Sequence, residues 1–259
     1  MHVSFSSLKD WKSCSYKLKI YKIDGIRSFL GNEHTTFGNA MHDVAEMKLN
    51  EKSPESAWEE YFERRFINYI TEAKKNGADV KSFDEKLIKE MRAQGKELIP
   101  LIVPALKEYF GEYTVIGTEI EIKGEIPNVA DISFLGFIDL VVATPDGKVH
   151  IVDYKTCSWG WDARRKAEPM VTYQLTLYKY FFAKMAELDP KDIETHFVLL
   201  KRVGKKNRVE PFRVTSGPKK TTNALELLTS AATSLSKKFF IKNKTACDRC
   251  PFYRTEHCK

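Results

Sequence analysis

Residues 132–156 read ISFLGFIDLVVATPDGKVHIVDYKT. Two runs rich in β-branched and apolar residues, Ile132–Ala143 and Val149–Thr156, flank Thr144-Pro145-Asp146-Gly147. A proline followed by Asp-Gly is turn chemistry, so the stretch predicts a β-hairpin. Each strand carries one carboxylate in an otherwise apolar run: Asp139 in the first, Asp153 at the end of the second. Lys155 follows Asp153 by two residues, and strand alternation aims both side chains at one face. Paired in a hairpin, two carboxylates and an ammonium converge. Close carboxylates repel unless a cation lies between them, and hard oxygen ligands suit Mg²⁺ or Mn²⁺. An acidic-x-Lys triplet alone is weak evidence, because a solvated strand end with a salt bridge has the same spelling. Glu121-Ile122-Lys123 is such a decoy, on a strand but with no upstream carboxylate in a buried strand.

Working outward, Tyr113–Lys123 is a further β-rich run, and strands are predicted near 194–203 and 208–214, joined by a basic tip at Gly204–Arg208. Helical spacing marks residues 36–50, 165–188 and about 218–240, and the N-terminal SFSSLKDWKSCSYKLKIYK reads as a short helix capped by Ser6 or Ser7. From Pro54 to Phe110 the pattern is helical and charged, broken at Asn76-Gly77, Pro100 and Pro104. The layout predicts one α/β domain over 1–259: a mixed β-sheet core flanked by helices, with a helical insertion at 51–112, a core at 113–215, and a cysteine-rich terminal region at 241–259.

The chain has 259 residues, 42% of them hydrophobic and 30% charged, with a net charge of +7. That composition excludes a disordered chain, and the longest apolar stretch, Ile99–Leu106, is too short to span a bilayer. MHVSFSSLKDW has no cationic region leading into an apolar one, so a cytoplasmic setting is expected, with no membrane partner. The charge is unevenly placed. Residues 28–200 carry 29 acidic against 21 basic side chains, while the ends and residues 201–220 are strongly basic. Basic surfaces beside an acidic centre suggest a polyanionic partner. Lys201, Arg202, Lys205, Lys206, Arg208 and Arg213 surround the basic tip and could track a nucleic-acid backbone, and Trp159 and Trp161 could stack on an unpaired base or pack over the core.

Gln174 and Tyr178, one helical turn apart, share a face that can pack back over the strand ends. His42, in FGNAMHDVAE after Gly38, offers an imidazole as a third metal ligand. Together, Gly38…His42, Gly136-Phe137-Ile138-Asp139, Asp153-Tyr154-Lys155 and Gln174…Tyr178 resemble, in order and spacing, the RecB-like branch of the PD-(D/E)XK nuclease superfamily. The resemblance implies a restriction-endonuclease-like core and hydrolysis of DNA phosphodiesters. It implies a metal held by His42, Asp139, Asp153 and the Tyr154 carbonyl, with Lys155 catalytic and Gln174 and Tyr178 in the site. Glu119 is a further, less securely placed candidate.

Cys247-x2-Cys250-x7-Cys258 supplies three thiolates, enough for most of a metal or cluster site, and Cys14, Cys157 or His257 could complete it. The context of Cys14 resembles the N-terminal cysteine motif of iron–sulfur RecB-like nucleases, among them AddB-type subunits and CRISPR-adaptation nucleases. By that resemblance Cys14, Cys247, Cys250 and Cys258 hold a [4Fe–4S] cluster, with Zn²⁺ the alternative occupant and Cys157 a leftover thiol. The function this implies is a metal-dependent exonuclease on single-stranded DNA or DNA ends, in recombination, repair, CRISPR adaptation or viral DNA processing. A helicase, recombination or adaptation protein would be its partner. The competing class is a non-catalytic DNA-binding or assembly subunit on the same fold.

Overall fold

The computed structural model of the chain describes residues 1–27, 31–50, 57–79 and 83–258. The quoted hairpin forms as its turn chemistry dictates. β3 (Val129–Ala143) and β4 (Val149–Cys157) pair antiparallel across Thr144–Lys148, with Gly147 in the left-handed conformation that closes the turn. β2 (Thr114–Ile126) pairs with β3 along almost its whole length. β4 pairs parallel with β5 (Ile193–Lys201), which pairs antiparallel with β6 (Val209–Val214). A two-residue strand that the sequence pattern does not announce, β1 (His2–Val3), adds parallel to β3 at Ser133 and Phe134.

β3 therefore shares one edge with β2 and meets both β1 and β4 along the other. The β3–β4 ladder runs only from Ala143↔Val149 to Leu140↔Val152. Between that point and the β1 pairing at Phe134, β3 has no strand partner on this edge among the described residues. The two strands fork, and Asp139 and Asp153 are the first residues beyond the last pair.

Helices cover both faces. On one side lie α1 (Phe5–Ser13), α2 (Ser15–Lys22), α8 (Pro169–Met185) and α9 (Pro218–Ser236), over a core that includes Phe134, Ile151, Leu177, Phe181 and Phe197. On the other lie α3 (Glu33–Leu49), α4 (Trp58–Lys75), α5 (Glu85–Leu98) and α6 (Ile102–Phe110), over Phe37, Phe62, Phe66, Val152 and Tyr154. The helical segment expected at 51–112 is thus α4 to α6; its expected start at Pro54 lies outside the described residues, as do 80–82.

Two expected helices are each divided. Cys14 is extended between α1 and α2, so the N-terminal segment is two short helices. The segment from 165 begins as α7 (Ala163–Ala167) and breaks at Glu168, where Pro169 disfavours a helical residue before it and then starts α8 at its first position.

The chain ends meet. Trp11 Nε1 donates to Ser234 Oγ at 2.9 Å, the Ile241 N–H donates to Ser15 Oγ at 2.7 Å, and Asn243 Nδ2 donates to the Ser13 carbonyl at 2.8 Å. Tyr21 and Phe252 stack edge to face at 5.2 Å.

Candidate active site

Beyond the last β3–β4 pair, the next ladder bond is replaced by a side chain. Asp139 Oδ2 accepts the Tyr154 N–H at 2.7 Å, so one carboxylate satisfies the backbone that the fork leaves open. His42 Nδ1 lies 3.5 Å from the same oxygen. It is carried there by α3, whose buried face of Phe37, Ala40, Met41 and Val44 packs down on the sheet. Gly38 makes that approach possible: a Cβ there would sit 3.2 Å from Thr156 Oγ1.

Asp153 is 1% exposed. Its Oδ1 accepts from Gln174 Nε2 at 2.8 Å, and its Oδ2 forms an ion pair with Lys155 Nζ but accepts no well-directed hydrogen bond. Gln174 Nε2 also donates to the Tyr178 hydroxyl at 3.1 Å, so α8 fixes the rotamer of the buried carboxylate from one face of one turn. Gly136 clears the ground for this contact, since a Cβ would lie 2.8 Å from the Tyr178 ring. The Tyr154 side chain points to the other face, fully buried and edge to face with His42 at 6.0 Å, so only its backbone serves the fork.

Glu119, opposite Asp139 in the β2–β3 register, joins the site through a distorted backbone. Its φ of 48° is left-handed, a strained conformation for a residue with a Cβ. The ligand atoms of His42, Glu119 and Asp139 lie within 4.8 Å of one another. Asp153 stands outside that set, its oxygens turned to Gln174 and Lys155. The sequence pattern ranks Glu119 low because nothing in it announces the left-handed backbone at that residue.

The electrostatics follow from burial and crowding. Burial raises the carboxyl pKa of Asp153, and neighbouring Asp139 adds to this against the pull of Lys155. Asp139 is buried too, yet His42, Lys155 and the Tyr154 N–H together hold it below the usual carboxylate range. Burial and Asp139 push Glu119 up to about 7, although much of its side chain meets solvent. Burial lowers His42, but Asp139 more than offsets this and its pKa is raised. Burial also raises the Tyr178 phenol. Three carboxylates face one ammonium and one imidazole, which suits a hard divalent cation.

The basic tip does not present the row of free cations that its sequence suggests. Lys201 pairs with Glu210, Arg208 with Glu97 and Arg213 with Glu194, and Arg202 is buried against Gln94 and Ser158. Lys205 and Lys206 are exposed. The two tryptophans separate: Trp161 packs on Phe197 and Phe212, while Trp159 is 68% exposed beside a cavity of about 420 Å³ lined by Thr156, Cys157, Arg165 and Arg202.

No curated protein matches the chain. Among solved structures, a crystal structure from Eubacterium rectale described as a "putative exonuclease" is similar with a TM-score of 0.59, at 14% identity over 98% of this chain and 88% of that one. It shows a shared fold. A second, called SSO0001, covers 97% of this chain and 83% of its own at 14% identity, but its TM-score of 0.44 is too low to bear on the question. The sequence also matches the profile of one protein family over residues 2–255, nearly its full length and including every residue of the fork. The chain belongs to the PD-(D/E)XK nuclease superfamily.

Proposed function

We propose that the protein is a metal-dependent deoxyribonuclease, an exonuclease acting on single-stranded DNA or DNA ends. One observation carries the reading: where β3 and β4 part, Asp139, Asp153 and Lys155 meet with His42 and Glu119 around a point the protein leaves electrically uncompensated. The donor set fits Mg²⁺ or Mn²⁺, with His42, Asp139 and Glu119 as nearest donors, and Asp153 and the Tyr154 carbonyl completing the set that the family resemblance implies. When bound, such an ion polarises a phosphodiester and makes a water nucleophilic near neutral pH. Lys155, anchored by Asp153, places its ammonium where a phosphate oxygen gains charge during attack. Gln174 holds Asp153 in that role, and Tyr178 holds Gln174. The exposed Trp159, Lys205 and Lys206 are suited to an unpaired strand leaving the site.

The cysteines belong to the same proposal. Cys14 lies where the chain ends join, its Sγ accepting the Asn243 N–H at 3.3 Å. The Cys247 thiol is raised by desolvation and by the nearness of Cys250, Cys258 and Cys14, which gathers the four sulfurs in one neighbourhood. The family resemblance favours a [4Fe–4S] cluster there, with Zn²⁺ the alternative occupant, as a staple between α1–α2 and the C-terminal segment.

The test is anaerobic purification with a visible spectrum and iron assay, followed by digestion of end-labelled single- and double-stranded DNA with Mg²⁺ or Mn²⁺. Stepwise shortening from an end and a broad iron–sulfur absorbance are expected. DNA retention without hydrolysis under either metal would overturn the enzymatic reading in favour of a non-catalytic binding subunit. A colourless, zinc-containing protein would overturn the cluster.

A further inference from the structure

Away from the fork, the first residues of β4 and β5 build a second group of ligands. His150 is paired with Glu194 in the β4–β5 register, and His196 lies two residues beyond Glu194 on the same face. His150 is 7% exposed and His196 2%. His150 Nδ1 stands 3.0 Å from His196 Nε2, and Glu194 Oε2 lies 3.8 and 3.9 Å from these two nitrogens. A tetrahedral ion with ligands at ~2.0–2.1 Å separates them by roughly 3.3 Å, within the span of the three distances.

The protons can be placed so that both inward-facing ring nitrogens are free to bind an ion. The Thr144 hydroxyl hydrogen is directed at Asp146 Oδ1 and the Lys148 carbonyl, both pure acceptors. Thr144 Oγ1 must therefore accept from His150 Nε2, 2.9 Å away, which leaves His150 Nδ1 as a bare lone pair. His196 Nδ1 lies 3.2 Å from the Tyr109 hydroxyl, an oxygen able to accept a hydrogen bond from Nδ1–H in the same way and so free the Nε2 lone pair. Arg213 Nη2 holds Glu194 Oε1 at 2.9 Å, leaving Oε2 turned toward the two nitrogens. Each of the three ligands is thus oriented through its other polar atom, the supporting arrangement typical of metal-binding imidazoles and carboxylates.

We propose that His150, His196 and Glu194 form a second metal site, for a borderline divalent ion of the zinc class, distinct from the fork. Two imidazoles and one carboxylate are a zinc-type ligand set, poorly matched to the oxygen-only preference of magnesium. The fourth position opens into a cavity of about 550 Å³ that Tyr109, Phe110, Asp146 and Arg213 also line. The ion would clamp β4 to β5 beneath the end of α6, whose Phe110 ring packs on both imidazoles. This inference does not depend on the nuclease reading.

Chelator-stripped protein is titrated with Zn²⁺, and with Co²⁺ as a spectroscopic probe, and bound metal is counted after desalting. Wild type and Asp139→Asn should each retain about one zinc equivalent that Glu194→Gln and His196→Asn lose, with affinity at least ~10-fold weaker in the variants. The matching cobalt band should lack the thiolate charge transfer that cysteine ligation produces. DNA cleavage by Glu194→Gln should match wild type. If His196→Asn fails to fold, Glu194→Gln decides, because its carboxylate is partly exposed and its Arg213 contact survives the change. Equal zinc content and an equal zinc-induced rise in Tm in wild type and folded Glu194→Gln would overturn the site, leaving a Thr144–His150–His196–Tyr109 hydrogen-bond chain.

Discussion

Two groups of histidine and carboxylate side chains lie three residues apart along β4, at Asp153 and at His150, on opposite faces of the strand. At Asp153 the β3–β4 ladder has ended, one carboxylate must cap a backbone N–H, and three acids crowd two cationic groups. At His150 the β4–β5 ladder is continuous, and every polar side chain has a second partner. Breaking a ladder therefore does more than make room. It leaves negative charge that the fold does not neutralise, the setting proposed here for a hard ion, whereas the intact ladder presents two imidazoles, the setting proposed for a softer one.

The largest effect should come from removing what the fork leaves uncompensated. Lys155→Ala and Asp139→Ala should each lower DNA cleavage by at least roughly 10²–10³-fold, while circular dichroism reports an unchanged fold. The same assay on Glu194→Gln is the control from the other face. Cleavage by Lys155→Ala within tenfold of wild type would erase the functional difference between the two groups.

Gln174→Ala tests support rather than chemistry, since the amide touches Asp153 and Tyr178 and is not one of the three nearest donors. A loss of roughly 10–100-fold is expected, appearing as a higher Mn²⁺ requirement. Gln174→Glu, which keeps the length but adds a fourth acid, should not restore it. Wild-type metal dependence in Gln174→Ala would show that Asp153 holds its rotamer unaided.

The ingredients of the two groups differ in how far the sequence discloses them. Thr144-Pro145-Asp146-Gly147 sets the hairpin locally, so Asp139 opposite Asp153 follows by counting back from the turn. His42 and Gln174 can be paired with that centre through family spacing. Glu119 cannot, because its placement depends on a left-handed kink that only the assembled sheet enforces. The His150 group is hidden for a different reason: β4 and β5 are joined through α7 and α8, and a parallel register across so long a connection has no local signal. β1 is invisible as a two-residue strand, and the break at Cys14 depends on contacts with Ile241 and Asn243 at the other end of the chain.

Gly136 shows how closely the fork is fitted. Alanine there would bring a Cβ to 2.8 Å from the Tyr178 ring and 3.3 Å from Phe134, with buried side chains behind both. Gly136→Ala should cost about 1–3 kcal/mol in chemical denaturation and lower activity by displacing Tyr178 from Gln174. Gly217→Ala, where nothing lies within 4 Å of the added carbon, provides the comparison and should cost less, roughly 0.5 kcal/mol for the loss of glycine at the α9 N-cap. Equal stability of the two variants would mean that α8 shifts freely over β3, contrary to a tightly positioned site.

Glu210 supplies the smallest effect and a third way of balancing a carboxylate. It lies between two ammoniums, paired with Lys166 through Oε1 and with Lys201 Nζ at 2.8 Å through Oε2, so the protein itself provides the counter-charge that the fork lacks. Burial pushes its pKa up, but the two lysines more than offset this and hold it below 4.5. A carboxyl whose folded pKa is depressed stabilises the protein above its unfolded value, and that contribution disappears as pH falls through the folded value. Glu210→Gln should therefore cost ~0.5–1 kcal/mol at neutral pH, and its Tm deficit against wild type should close in acid below about 4.5. Added salt should shrink the deficit at neutral pH as well, because these are partly exposed ion pairs. A deficit that persists unchanged through the acid range would assign the loss to packing of the Lys166 and Lys201 stems against Phe212 and Gly160, and would remove Glu210 as the charge-balanced counterpart of the fork.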